Sequence, residues 1–138
     1  MTTHLRYFLL ALILATVAAA HAQGAGGIVY ITGGIGVTER EQLKALEKEF
    51  NLKLMFTLIE GNYISDVGIV VKDAAGKVLV AEQANGPIFM LKLPPGTYVV
   101  EATYDGKTHT RRINVDKRLR TEHLRWPSNS QVDFAIRE

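Results

Sequence analysis

From Leu52 onward the chain alternates apolar and polar residues in short runs, broken by turn residues at intervals of about 8 to 12 positions. A period of two sends successive side chains to opposite faces of a strand, one face dry and one wet. The pattern predicts strands over residues 53–59, 66–72, 78–83, 88–93, 97–104 and 108–115. A last strand, turn and strand are expected over 123–126, 127–130 and 132–136. The clearest run is 97–104, where Tyr98, Val100, Ala102 and Tyr104 share one face between Pro94-Pro95-Gly96 and Asp105-Gly106. Asn85-Gly86 and Asp105-Gly106 tolerate positive φ and predict tight hairpins, while Ala75-Gly76-Lys77 is an ordinary breaker.

Upstream the period changes to that of a helix over 38–51. Leu43, Leu46 and Phe50 make one apolar stripe, with Glu39, Arg40, Lys44, Glu47 and Lys48 around it. Thr38 is the expected N-cap, Glu41 completes a capping box, and Asn51 is a plausible left-handed stop. Residues 23–37 read as a flexible glycine-rich leader around a β-like piece at Ile28-Val29-Tyr30-Ile31, a candidate edge strand. Residues 1–22 read as an export signal: Arg6, an apolar run over 7–20, then the small-x-small Ala20-His21-Ala22. The run is shorter than the roughly 20 residues that span a bilayer, and no Cys follows it to carry a lipid. A retained anchor is the alternative. The expected organisation is therefore signal 1–22, leader 23–37, helix 38–51 and a β-domain over 52–138.

Composition narrows the picture. The 138 residues include 16 basic and 14 acidic side chains, and removal of Arg6 with the signal leaves a balance near zero. No global attraction to nucleic acid or to a membrane follows. Cysteine is absent, which suits a bacterial periplasm (or secretion) and removes thiol catalysis, Fe–S clusters and Cys-type zinc sites.

Candidate chemistry is sparse. The glycines before the helix lack the Gly-Lys-Ser/Thr of a phosphate loop, and Glu39 and Glu41 occupy the helix start. Ser65, Ser128 and Ser130 have no nucleophile-elbow pattern around them. His109 and His123 could meet Asp105 or Asp116 at a metal, but no ligand pair stands at a standard spacing. Asp66 and Asp73 sit at strand ends and beside a Gly turn, where turn hydrogen bonding explains them. No catalytic, cofactor or metal residue is assigned.

The stretches Val67–Leu79 and Gly86–Tyr98, running strand, Asp73-Ala74-Ala75-Gly76 turn, strand, glycine, strand and Leu93-Pro94-Pro95-Gly96-Thr97-Tyr98, resemble the carboxypeptidase regulatory-like family. The resemblance covers roughly 66–115. It implies a seven-stranded transthyretin-like (prealbumin-like) Greek-key sandwich and a non-catalytic accessory or stand-alone exported role. That fold also has a ureide-hydrolysing branch, which ends in Tyr-Arg-Gly-Ser and uses several histidines; this chain ends Phe134-Ala135-Ile136-Arg137-Glu138.

One feature points to a partner. Lys107, Arg111, Arg112, Lys117, Arg118, Arg120 and Arg125 concentrate in one stretch, flanked by Tyr104 and Trp126. With Trp126 they form the candidate interaction surface, although lysines and arginines that merely protect an edge strand would account for the same charges. The sequence thus predicts a non-enzymatic, cofactor-free binding or structural module of the periplasm that meets another envelope protein. A carbohydrate- or peptidoglycan-binding module, stacking sugars on Tyr63, Tyr98, Tyr104 or Trp126, is the alternative. Nucleic acid is not expected, nor is integral membrane residence once the signal is cleaved.

Overall fold

The computed structural model describes residues 22–23 and 27–128. The expected export signal, except its last residue, and the expected strand at 132–136 lie outside the described residues. Among those described, the protein is mainly β, with eight strands in two sheets and one short α-helix. The strands are β1 (Val29–Gly33), β2 (Leu52–Leu58), β3 (Gly68–Asp73), β4 (Val78–Gln83), β5 (Ile88–Lys92), β6 (Gly96–Tyr104), β7 (Lys107–Val115) and β8 (Arg120–Trp126). The helix α1 (Val37–Leu46) runs into a 3-10 turn at Glu47–Glu49. Eight strands stand where the family resemblance implies seven.

The first sheet has the order β1-β5-β2-β8, with the two-residue Ala22–Gln23 piece beside β1; the second has the order β4-β3-β6-β7. The main core lies between them. Leu52, Leu54, Phe56 and Leu58 of β2 face Val100 and Ala102 of β6 and Ile69 and Val71 of β3 across this layer. The alternation along β2 and β6 is the period-two pattern expected of half-buried strands. Strand β5 breaks it, since Ile88, Phe89, Met90 and Leu91 are all buried. The reason is the helix: Leu43 and Phe50 pack on Ile88 and Met90, with Val29, Ile31 and Leu119 around them. Both faces of β5 are therefore covered, and both are apolar.

Several local expectations are corrected. Asn85-Gly86 is not a hairpin turn; β4 and β5 belong to different sheets, and the dipeptide carries the chain from one to the other. Gly86 serves close approach instead, because a Cβ there would lie 2.3 Å from the carbonyl oxygen of Gly33. The helix begins after Gly36 rather than at a Thr38 cap, and no side chain caps it. The Glu39 carboxylate instead accepts from the Ile35 N–H at 3.1 Å, so the helix start is tied from its third residue.

Asn51 does not adopt the left-handed stop. It is buried, and its amide joins three segments: Nδ2 donates to the carbonyls of Leu93 (2.6 Å) and Asp116 (3.1 Å), and Oδ1 accepts from the Leu93 N–H (2.9 Å).

Other turns match the residues that make them. Asp105 and Gly106, at φ of 50° and 72°, close the β6–β7 hairpin with Tyr104 opposite Lys107. Asp73 Oδ1 accepts from the N–H groups of Ala75 and Lys77, both at 2.9 Å, around Gly76 at φ 87°. The Pro94-Pro95 connection carries the chain back between sheets, and the Tyr98 hydroxyl donates to the Pro94 carbonyl at 2.5 Å. That tie to a backbone four residues upstream is the device of a tyrosine corner. No helix among the described residues is long and apolar enough to cross a membrane.

Candidate functional site

Strands β7 and β8 end their respective sheets on the same side of the sandwich, each laddered on one side only. β8 runs parallel to β2, from Leu52 opposite Arg120 to Leu58 opposite Trp126. The two edges are not joined by a ladder. Side chains close the gap instead. Trp126 Nε1 donates to the Lys107 carbonyl at 2.9 Å, and His109 Nε2 donates to the Arg125 carbonyl at 2.6 Å.

Trp126 is 1% exposed, edge-on to Phe56 and Tyr104 with centroids 6.2 and 6.0 Å apart, and the His109 ring lies 4.7 Å from it. The indole belongs to the core and not to the interaction surface proposed for it from sequence. Its buried, hydrogen-bonded ring is the keystone of this edge.

The seven basic side chains of the stretch are all exposed. Arg111 stands opposite Val100 and Lys107 opposite Tyr104, so both have the parity of the core face, at the rim where the sandwich opens. Arg112 projects from the other face of the second sheet, opposite Val99, and Lys117 and Arg118 lie in the β7–β8 loop. Arg125 shares the parity of His123 on the helix side of the first sheet. The charges therefore wrap one edge rather than form one flat face. Arg120 Nε donates to Glu122 at 2.8 Å, whereas Lys107, Arg111, Arg112, Lys117, Arg118 and Arg125 meet no carboxylate among the described residues.

The two histidines do not converge. His109 has inward parity and lies against Trp126, while His123 points to the opposite side of β8 and shares a 2.8 Å hydrogen bond with the Thr57 hydroxyl. Burial first, and the Arg125 guanidinium second, hold the His123 imidazole below its ordinary range. Ser128 donates to the Glu60 carboxylate and not to a histidine. No group of three metal-ligating residues occurs among the described residues.

The aromatic residues suggested for sugar stacking divide in the same way. Tyr98 and Trp126 are buried and Tyr104 is half-buried, which leaves Tyr63, 51% exposed, with the Arg40 guanidinium 4.9 Å above its ring. Sequence parity places Tyr98 on the face of Val100 and Ala102, and it is buried with them. Parity did not reveal the bridge between edges, which joins residues 16 and 19 positions apart. Compared with known proteins, the chain matches no family model and no curated relative.

Proposed function

We propose that the protein is an exported, non-catalytic β-sandwich of the transthyretin-like kind, working in the periplasm by holding another envelope protein along its β7–β8 edge. The observation that carries this reading is the edge itself. A nine-residue terminal strand, β7, has one ladder partner and is surrounded by basic side chains of which Arg120 alone meets a carboxylate among the described residues. Strand addition at such an edge supplies main-chain hydrogen bonds, and the arginines select an acidic partner and steer its approach. The two side-chain bridges hold the two edge strands together, so the surface is preorganised.

The test is recovery of partners from envelope extracts with the R111S/R112S/R118S/R120S variant. These side chains are exposed and outside the core, so melting is expected to stay within about 3 °C of the parent. Loss of the co-purifying protein with the fold intact supports the reading. Unchanged recovery refutes it.

A further inference from the structure

The opposite end of the sandwich from the Asp105-Gly106 hairpin carries a groove of about 660 Å³. It lies where β1 begins, β5 ends, and the 3-10 turn meets the β7–β8 loop. Its accessible apolar lining is Ile28, Val29, Pro94 and Pro95, while Phe50 and Leu93 of the lining are almost wholly buried. Asn51 also lines it, but its amide is already committed to Leu93 and Asp116. The polar groups on offer to a ligand are therefore at the rim. Lys48, Lys92 and Lys117 line it from three separate segments; all three are exposed and none meets a carboxylate among the described residues. Glu49 is the single acidic lining residue.

An apolar trough under a cationic rim is complementary to a molecule with an apolar body and one anionic end. Its volume falls within the roughly 300–1,000 Å³ of small-molecule sites. We propose that this groove binds a free fatty acid of medium chain length, the acyl chain along Ile28, Val29, Pro94 and Pro95 and the carboxylate among Lys48, Lys92 and Lys117. The inference is independent of the edge reading. Lys48 and Lys92 lie outside the β7–β8 edge, and their loss leaves that surface unaltered.

Calorimetric titration with decanoate, below its micelle concentration, tests it on protein purified from cells expressing the whole coding sequence. Saturable binding at one site is expected. An exposed ion pair is worth about a two- to fivefold change in affinity, so K48Q/K92Q should weaken binding by about tenfold. Decanol, with the same chain and no charge, should bind at least as weakly. Backbone amide shifts on the parent protein keep the test sound if the variant melts early, and these should centre on Ile28 and Val29.

Absence of saturable binding at millimolar decanoate overturns the proposal, as do equal affinity in K48Q/K92Q, equal binding of decanol, or shifts centred elsewhere. A vesicle arm separates the free amphiphile from a lipid surface. Sedimentation with phosphatidylglycerol vesicles that depends on Lys48 and Lys92, without decanoate binding, also overturns it.

Discussion

Asn51 offers the sharpest check on how the two sheets are held in register. Asn51→Ala removes its three side-chain hydrogen bonds to Leu93 and Asp116, and leaves the Leu93 N–H and carbonyl, which face it, without those partners. At about 1 kcal/mol net for each bond, the expected loss is about 3 kcal/mol. With a urea dependence of about 1.5 kcal/mol per molar, the unfolding midpoint should fall by about 2 M.

Asn51→Asp probes the same site by charge. One oxygen keeps the Leu93 N–H, but the other replaces a donor 2.6 Å from the Leu93 carbonyl. Burial and the facing carbonyls raise the folded-state pKa of the new carboxyl above its unfolded value of about 3.9. A raised folded pKa means that the folded state holds the proton more tightly. The variant's deficit is then largest above the folded pKa and shrinks as pH falls towards 4.

The Asn51→Ala deficit should stay level over that range. The single tryptophan, Trp126, sits in the core and reports unfolding by fluorescence. A midpoint within about 0.3 M of the parent for Asn51→Ala, or parallel pH profiles for the two variants, would refute the reasoning.

Three further outcomes are expected. Gly86→Ala should destabilise by about 2 kcal/mol in chemical denaturation, since its Cβ meets the Gly33 backbone rather than a movable side chain; neutral stability would mean the crossover shifts freely. Trp126 emission should be blue-shifted and resist acrylamide in the folded protein, and quenching like that of a free indole would place the ring at the surface. His123 should titrate in NMR below the ordinary imidazole range, and Arg125→Gln should move its midpoint up only in part, because burial is the larger cause. As that depressed pKa implies, protonation favours the unfolded chain, so His123 subtracts stability as pH falls below about 6.5; a midpoint at or above the ordinary value excludes this.

Much of the architecture was legible in local pattern. The strands over 97–104 and 108–115 and their Asp105-Gly106 turn were readable because period-two alternation and positive-φ residues act within a few positions. The helix was readable from its apolar stripe, and Leu43 and Phe50 do bury. Its start was not, because the competition between Thr38 and Gly36 as first residue depends on where the preceding strand releases the chain. Asn85-Gly86 has the composition of a hairpin turn, yet β5 is drawn into the other sheet. Ile88 to Leu91 are apolar on both faces and can satisfy both only between the helix and the second sheet.

The candidate surface divides along the same line. That residues 107–125 are basic, and that no catalytic motif accompanies them, is a matter of composition and spacing, which the chain carries in any fold. Tertiary structure alone decided that Trp126 turns inward, that His109 and His123 part to opposite sides of β8, and that three lysines from distant segments share one groove. The parallel pairing of β8 with β2 produces the first two by setting β8 beside β7 at an open edge. Such pairing is long-range: it joins residues 68 positions apart through backbone groups that every residue possesses, so no side-chain pattern announces it.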